Sequence, residues 1–305
     1  MFAALKRKDK LIRELPLYIM LIPAVVLVAI FSYGSMGGVI IAFQKFVPAK
    51  GMFGDQQWIG LQNFHTLFAM PNIGPVIRNT VIIAFCKMIA GIVVPVVFAL
   101  LLNEVRHVLT KRMFQTLVYL PHFLSWVILS GILINVLSPT GGFVNVLLGK
   151  VGIQPIYFLG SPTAFPITMV VTDIWKGFGF GSVIYLASLT SINPALYEAA
   201  VIDGANRWKQ TLHITLPGIS SMIVLMTVLG LANILNGGFD QIYNMYSPVV
   251  YSTGDILDTF VFRLGIEQAQ YALSTAAGLF KSGVSMIFII VSYYLADKFT
   301  GYRVF

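Results

Sequence analysis

The chain has 305 residues, of which 57% are hydrophobic and only 10% charged, with a net charge of +8. Soluble domains carry about 25% charged residues, so this composition excludes a large soluble core and points to a polytopic membrane protein. The basic excess lies in short segments between apolar runs, which suits membrane topology and excludes a nucleic-acid footprint.

Taken in order, the chain opens on a basic cluster, Lys6 to Lys10 and Arg13, followed by an apolar run from Leu17 to Phe43. That run is too long for a signal peptide and lacks a small-residue cleavage site, so it is expected to be the first membrane helix. About 20 residues at 1.5 Å each cross a hydrocarbon core of about 30 Å. Lys45 to Arg78 is polar, aromatic and broken by Pro and Gly, and it contains Gly60-Leu61-Gln62-Asn63-Phe64. Asn79 is expected to cap a second span, Thr80 to Leu102. A third span is expected from Leu117 to Leu137, opening with Tyr119-Leu120-Pro121, and a fourth from Ile167 to Leu189. A short fifth span, Ile219 to Leu235, leads into a long polar loop with Asp240, Asp255, Asp258, Arg263 and Glu267. The sixth span is expected from Ala272 to Ala296, with Lys298 and Arg303 in the tail. The expected fold class is an all-α membrane protein of about six transmembrane helices.

Charge fixes an orientation. The N-terminus, the second and fourth connections and the tail hold 12 Lys and Arg, against 5 in the alternate connections. The positive-inside rule then predicts that both termini and the connection at 190–218 are cytoplasmic. The halves show no duplication of the kind that marks inverted-repeat secondary transporters.

The longest polar, helix-compatible interruption between apolar spans is Glu198 to Pro217 and its lead-in, residues 193–217. Asn193 suits an N-cap and Pro194 the first helical position. Gly204 sits where a helix end needs a left-handed residue. A second short helix is expected from Asn206 to His213, with Trp208 and Leu212 on one face. The small Ala199 and Ala200 permit close approach of another backbone, and Trp208 is a large anchor of the kind that fills a partner's pocket. On these grounds alone an ordinary inter-helix loop remains the competing reading.

The spacing Glu198-Ala199-Ala200, three residues, Gly204, nine residues, Ile214, one residue, Leu216-Pro217 matches every fixed position of the EAA loop. On this motif the chain resembles the permeases of ABC importers. Tyr197, Ile202, Asp203, Ala205 and Trp208 extend the likeness to the carbohydrate-type, MalF/MalG-like permeases. The GLxNF phrase and Asn79-Thr80 also resemble sugar permeases, and the stretches Leu257 to Ile266 and Tyr271 to Ser282 are similar to the LplB-like branch, which takes up oligosaccharides. The resemblance covers nearly the whole chain. It implies the type I ABC-importer permease fold, in a bacterial plasma membrane, with residues 79–305 as the permease core and 1–78 as an added element. It implies that Glu198, Ala199, Ala200, Asp203, Gly204 and Trp208 form a coupling helix contact with a cytoplasmic ATPase. It also implies the partners: a second homologous permease, two ATPase copies, an extracellular solute-binding protein and a saccharide, within membrane lipid.

Chemistry in this chain is not expected. There is no G-x-x-x-x-G-K-[ST], HExxH or G-x-S-x-G phrase. ATP and Mg²⁺ therefore belong to the partner ATPases, and no cofactor or metal is expected here. The four His are scattered, against the several ligands zinc needs. The single Cys86 can form no internal disulfide and is expected to be a small buried hydrophobe.

Lys87, Lys176 and Lys281 lie inside spans, where a central charge costs about 2.5–3.5 kcal/mol on the lower scale. Snorkelling outward or pairing would account for each, and Asp173 stands three residues before Lys176. The sharper reading is that they line a cavity and attract an anionic saccharide such as a uronate. Trp175 and Asn233 are further pathway candidates, against packing and helix-to-helix bonding. Gly177, Gly179 and Gly181, and Ser274, Gly278 and Ser282, are spaced for close helix packing. A stand-alone secondary transporter or channel for a polar solute is the rival reading. It needs no docking loop and usually places paired charges at the midplane.

Overall fold

The computed structural model describes residues 2–52 and 54–300. The side chains of the basic cluster Lys6 to Arg13, and Arg303, lie outside the described part. The chain divides into two compact units, residues 1–67 with 264–279, and residues 68–263 with 280–305.

In the first unit, α1 (Phe2–Val28) runs on through a π turn, Ala29–Tyr33, and a 3-10 turn, Gly37–Phe43. Glu14–Phe43 is thus one apolar rod, and only Ile41 and Ala42 near its end are buried. The Gly37-Gly38 pair loosens the α register there. Two short strands follow, β1 (Gln44–Lys45) and β2 (Gln57–Trp58), paired antiparallel with Gln44 opposite Trp58. Gly60 takes φ +58° and leads into α2 (Gln62–Ala69). The buried Asn63 amide donates to the carbonyls of Ala42 (2.8 Å) and Gln44 (3.0 Å). Phe64 leans on Phe43, which stacks on Trp58. The GLxNF phrase is therefore a clasp that fastens the end of the first span to the strand ribbon.

The second unit is built on α3 (Ile73–Glu104) and α7 (Ala164–Thr190), which pack along their length. Asn79 does not cap a helix. It is buried in the second turn of α3, and its amide donates to the carbonyls of Ser252 and Asp255. The third span is not one straight helix. α4 (Val108–Tyr119) ends in a 3-10 turn, Leu120–Phe123, and α5 (Trp126–Val136) leaves at 104°. Pro121 cannot extend the α ladder, and Ser125 restarts it by accepting from the Ile128 amide. Among the described residues, five helices are long and apolar enough to cross a membrane, or six with this bent pair counted. A short α6 (Phe143–Lys150) precedes α7.

The glycines expected to serve helix packing prove unequal. A Cβ on Gly179 would lie 2.3 Å from the Val118 carbonyl oxygen, and one on Gly181 3.3 Å from Pro95. Gly179 is where α4 meets the backbone of α7. At Gly177 and Gly278 a Cβ would meet nothing, so the i, i+4 pairing of Gly177 with Gly181 is not the contact.

Beyond α7 come α8 (Pro194–Ile202), α9 (Arg207–Gln210), a π turn Thr211–Thr215, and α10 (Leu216–Ala232). The fifth span is not short: Arg207–Ala232 is one helical run, and the second short helix continues into it. Pro217 cannot donate to a carbonyl in the preceding turn, and the π turn just before it absorbs the mismatch.

Residues 233–263, expected as a polar loop, are among the most deeply packed of the chain. They include α11 (Phe239–Met245) and α12 (Leu257–Phe262). Ile242, Met245, Val250 and Ile256 share a core with Ile83, Leu129, Phe165 and Met169. Asp255, 2% exposed, holds Arg263 in a two-pronged ion pair and accepts from the Thr259 hydroxyl. Burial alone would lower the Arg263 pKa, but the bonds to Asp255 outweigh it and carry it above its ordinary value. Burial pushes the nearby Tyr246 phenol up, so it stays neutral. α13 (Tyr271–Thr300) closes the described chain.

Candidate functional site

Two places gather the residues singled out above. The first is the connection at residues 193–217. Asn193 caps α8 through its Oδ1, which accepts from the Ala195 amide at 3.0 Å, with Pro194 at the first position. Gly204 takes φ +74° and ends the helix. Asn206 then caps α9 through the Lys209 amide. No residue of α8 is buried. Glu198, Ala199 and Asp203 are exposed and Ala200 half-buried, while Leu196, Val201, Ile202 (86%) and Trp208 (74%) stand in the open. The Tyr197 hydroxyl meets the Thr215 hydroxyl at 3.0 Å, and Arg207 forms an ion pair with Glu104 at the end of α3. The segment is a small helix with apolar and acidic groups facing outward, fixed at its base. Such a surface suits a protein partner.

The second place is a cavity of about 430 Å³ between α3, α7 and α10, bounded at one end by Ile234, Asn236 and Gly238. Lys87 and Asn233 both line it, with Asp173, Tyr185, Met226 and Asn236. Lys87 neither snorkels nor stands free. Its ammonium donates to the Gly237 carbonyl at 2.9 Å and to Gln241 Oε1, with Asp173 Oδ1 at 3.6 Å. Gln241 is fully buried, and its amide donates to the Met169 carbonyl and the Thr172 hydroxyl, each at 2.8 Å, which aims Oε1 at Lys87. Gly238 has φ +88°, and a Cβ there would lie 2.8 Å from the Lys87 nitrogen. The glycine makes room for the ammonium.

Asp173 therefore pairs with Lys87 across helices and not with Lys176 on its own helix. Lys176 donates to the His122 carbonyl at 3.3 Å and lies over the Trp126 ring. Neither it nor the half-exposed Trp175 lines this cavity. Lys281 reaches it at one remove. It pairs with Asp258 and donates to Asn236 Oδ1 at 3.1 Å, while the Asn236 amide donates to Asn233 Oδ1. Sequence spacing could not find Asp173–Lys87 or Asp258–Lys281, because each partner sits on a different element. An unpaired intramembrane lysine was the only signal for them. Cys86, next to Lys87, is exposed rather than buried, since α3 turns it away from the cavity. Among the described residues no three metal-ligating side chains gather.

Comparison with known proteins fits this arrangement. The family model "Binding-protein-dependent transport system inner membrane component" matches residues 91–301. The polygalacturonan/rhamnogalacturonan transport system permease protein YteP of Bacillus subtilis (strain 168) is 39% identical over 95% of this chain and 90% of its own. Protein LplB of the same organism is 40% identical over 97% and 91%. Among solved structures, a chain of a bacterial ABC transporter involved in the import of the acidic polysaccharide alginate is similar, with a TM-score of 0.87 at 37% identity over 97% of this chain and 99% of that one. The same holds, at 36% identity, for a chain of the bacterial alginate ABC transporter in complex with alginate pentasaccharide-bound periplasmic protein.

Proposed function

This chain belongs to the family of binding-protein-dependent transport system inner membrane components, and from that premise we propose that it imports oligosaccharides, acidic ones among them. As such a component it is a multi-pass, non-catalytic permease of the inner membrane, and ATP is bound by the ATPase partner of the transporter. The observation that carries the substrate class is the near full-length likeness, at 36–39% identity, to permeases for polygalacturonan and alginate.

In this reading both termini and α8 face the cytoplasm, as the distribution of Lys and Arg requires. Residues 79–305 are the permease core and 1–78 an added element. The chain pairs with a second, homologous permease, two ATPase copies dock below, and a saccharide-loaded binding protein docks above. Glu198, Ala199, Ala200, Asp203, Gly204 and Trp208 enter the ATPase cleft, which the exposure of α8 supports. Closure of the ATPase pair moves α8 and switches access between the two faces, a rigid-body transition biased by ligand and nucleotide. Lys87, Asn233 and, through Asn236, Lys281 serve the substrate pathway, with Trp175 and Lys176 nearer its margin.

The test is purification of this chain from its native membrane in mild detergent, followed by reconstitution. A second permease and a P-loop ATPase should accompany it, and both should drive ATP-dependent uptake of uronate oligosaccharides. Recovery of the chain alone, with ATP-independent flux, would overturn the reading in favour of a secondary transporter. Replacement of Lys87 and Lys281 by Met should lower uptake of acidic saccharides more than neutral ones. Equal effects on both would remove the lysines from substrate selection.

A further inference from the structure

The docking helix lies in the chain between α7 and α10, two of the helices that wall the cavity, and a separate contact joins it to the third, α3. Within residues 194–210 the polar contacts are mostly local. Gln210 donates to the Ala205 carbonyl at 3.0 Å, and Tyr197 meets Thr215 on the helix that the segment itself leads into. Among the described residues, one polar contact joins this segment to a different membrane helix: Arg207 to Glu104, across 103 positions of sequence.

Apolar packing on α3 starts just beyond the segment, where Val96, Ala99 and Leu100 meet Tyr185, Leu189, Ile192, Leu216 and Ile219. A pocket of about 290 Å³ lies behind the segment, lined by Leu100, Asn103, Glu104, Tyr197, Arg207 and neighbouring residues of the π turn. Across that gap the ion pair is the bridge. Both of its ends are fixed in place. Arg207 follows the Asn206 cap at the first position of its helix, and Glu104 is the last residue of α3. Lys87 stands 17 positions earlier on the same helix, about 25 Å away at 1.5 Å per residue, where it holds Gly237 and Gln241. α3 thus has the docking segment at one end and the cavity node on its shaft.

We propose that the Glu104–Arg207 ion pair is the polar linkage that, beside the apolar packing of α7 and α10 on α3, carries movement of the docking helix to the end of α3 and so to the Lys87 node of the cavity. The proposal rests on the reading of α8 as the ATPase contact. Glu104 and Arg207 are positioning residues. They touch neither saccharide nor nucleotide. An exposed pair of this kind contributes little to folding, so its removal leaves the chain assembled and changes what the assembly transmits.

The experiment uses the complete transporter in lipid nanodiscs and proteoliposomes, with a saccharide-loaded binding protein. Glu104→Gln and Arg207→Gln should each retain the ATPase on purification, yet lower saccharide uptake per ATP hydrolysed at least fivefold. The charge exchange, Glu104→Arg with Arg207→Glu, should recover the ratio to within twofold of the native protein. A second variant guards against damage to the fold. In a Cys86→Ser background, Glu104→Cys with Arg207→Cys joined by a short bismaleimide should stay coupled, and the same protein without the cross-linker should not. Single variants with the native ratio, or a cross-linked protein no better coupled than the open one, would overturn the proposal. Failure of the native chain to retain an ATPase would instead overturn the docking reading beneath it.

Discussion

Residues 193–217 and residues 233–263 are both connections between apolar spans, and both carry charges, yet they are opposites. The first has no buried residue in its helix α8 and holds Ile202 and Trp208 in the open. The second buries Gln241, Ile242, Asp255, Ile256 and Thr259 almost completely. In the first, Glu198, Asp203, Ile202 and Trp208 face outward. In the second, Asp255 pairs with Arg263, Asp258 pairs with Lys281 and Gln241 bonds Lys87, while Asp240 stays exposed. The buried connection finds its charged partners within itself and on other helices, whereas the open one has, among the described residues, a single ion pair, Arg207 with Glu104, at its base.

The contrast can be broken from either side. The largest expected effect is that of Gly204→Pro. A proline needs φ near −65° and the site holds φ +74°, so the turn between α8 and α9 is lost. Uptake in proteoliposomes should fall more than tenfold while membrane insertion, read by protease protection, stays intact. Retained uptake would show that the hinge is not needed for coupling.

Asp255→Asn strikes the packed segment instead. It leaves the Arg263 guanidinium with half its partner in a site where Asp255 was 2% exposed. Breaking a buried pair costs about 3–5 kcal/mol, and the thermal midpoint in detergent should drop accordingly. An unchanged midpoint would mean that the segment opens to water. Gly238→Ala is milder. It combines a left-handed φ, worth about 1–3 kcal/mol in a non-glycine residue, with a Cβ that crowds the Lys87 ammonium. Both stability and saccharide uptake should decline, and loss of neither would show that the Lys87 node is loose.

Trp208→Ala separates the two regions most cleanly. An exposed side chain away from the core shifts stability by no more than about 0.5 kcal/mol, so the midpoint should hold while co-purification of the ATPase falls severalfold. The smallest effect is expected of Gly177→Ala. With nothing near its Cβ and alanine the better helix former, it should stabilise by about 0.5–1 kcal/mol. Gly179→Ala, facing the Val118 carbonyl, should destabilise. Equal outcomes for the two would contradict the packing of α4 on α7.

The same contrast explains what could be read in advance. The caps and turn of the docking segment, Asn193, Pro194 and Gly204, are local, since each acts on residues within a few positions of itself. The spans are local too, because about 20 apolar residues make a membrane helix wherever they occur. Composition and spacing were therefore enough for the all-helical fold, the family likeness and the turn at Gly204. The bend after Pro121 and the π turn before Pro217 had a local cause, but their size depended on what the helices pack against. Partner choice was not local at all. Asp173 lies three positions from Lys176 and bonds Lys87, and Asn79 stands where a cap was expected and bonds the carbonyls of Ser252 and Asp255. A buried charge takes whichever opposite charge the packed helices bring within reach, and that is decided by tertiary structure rather than by distance along the chain.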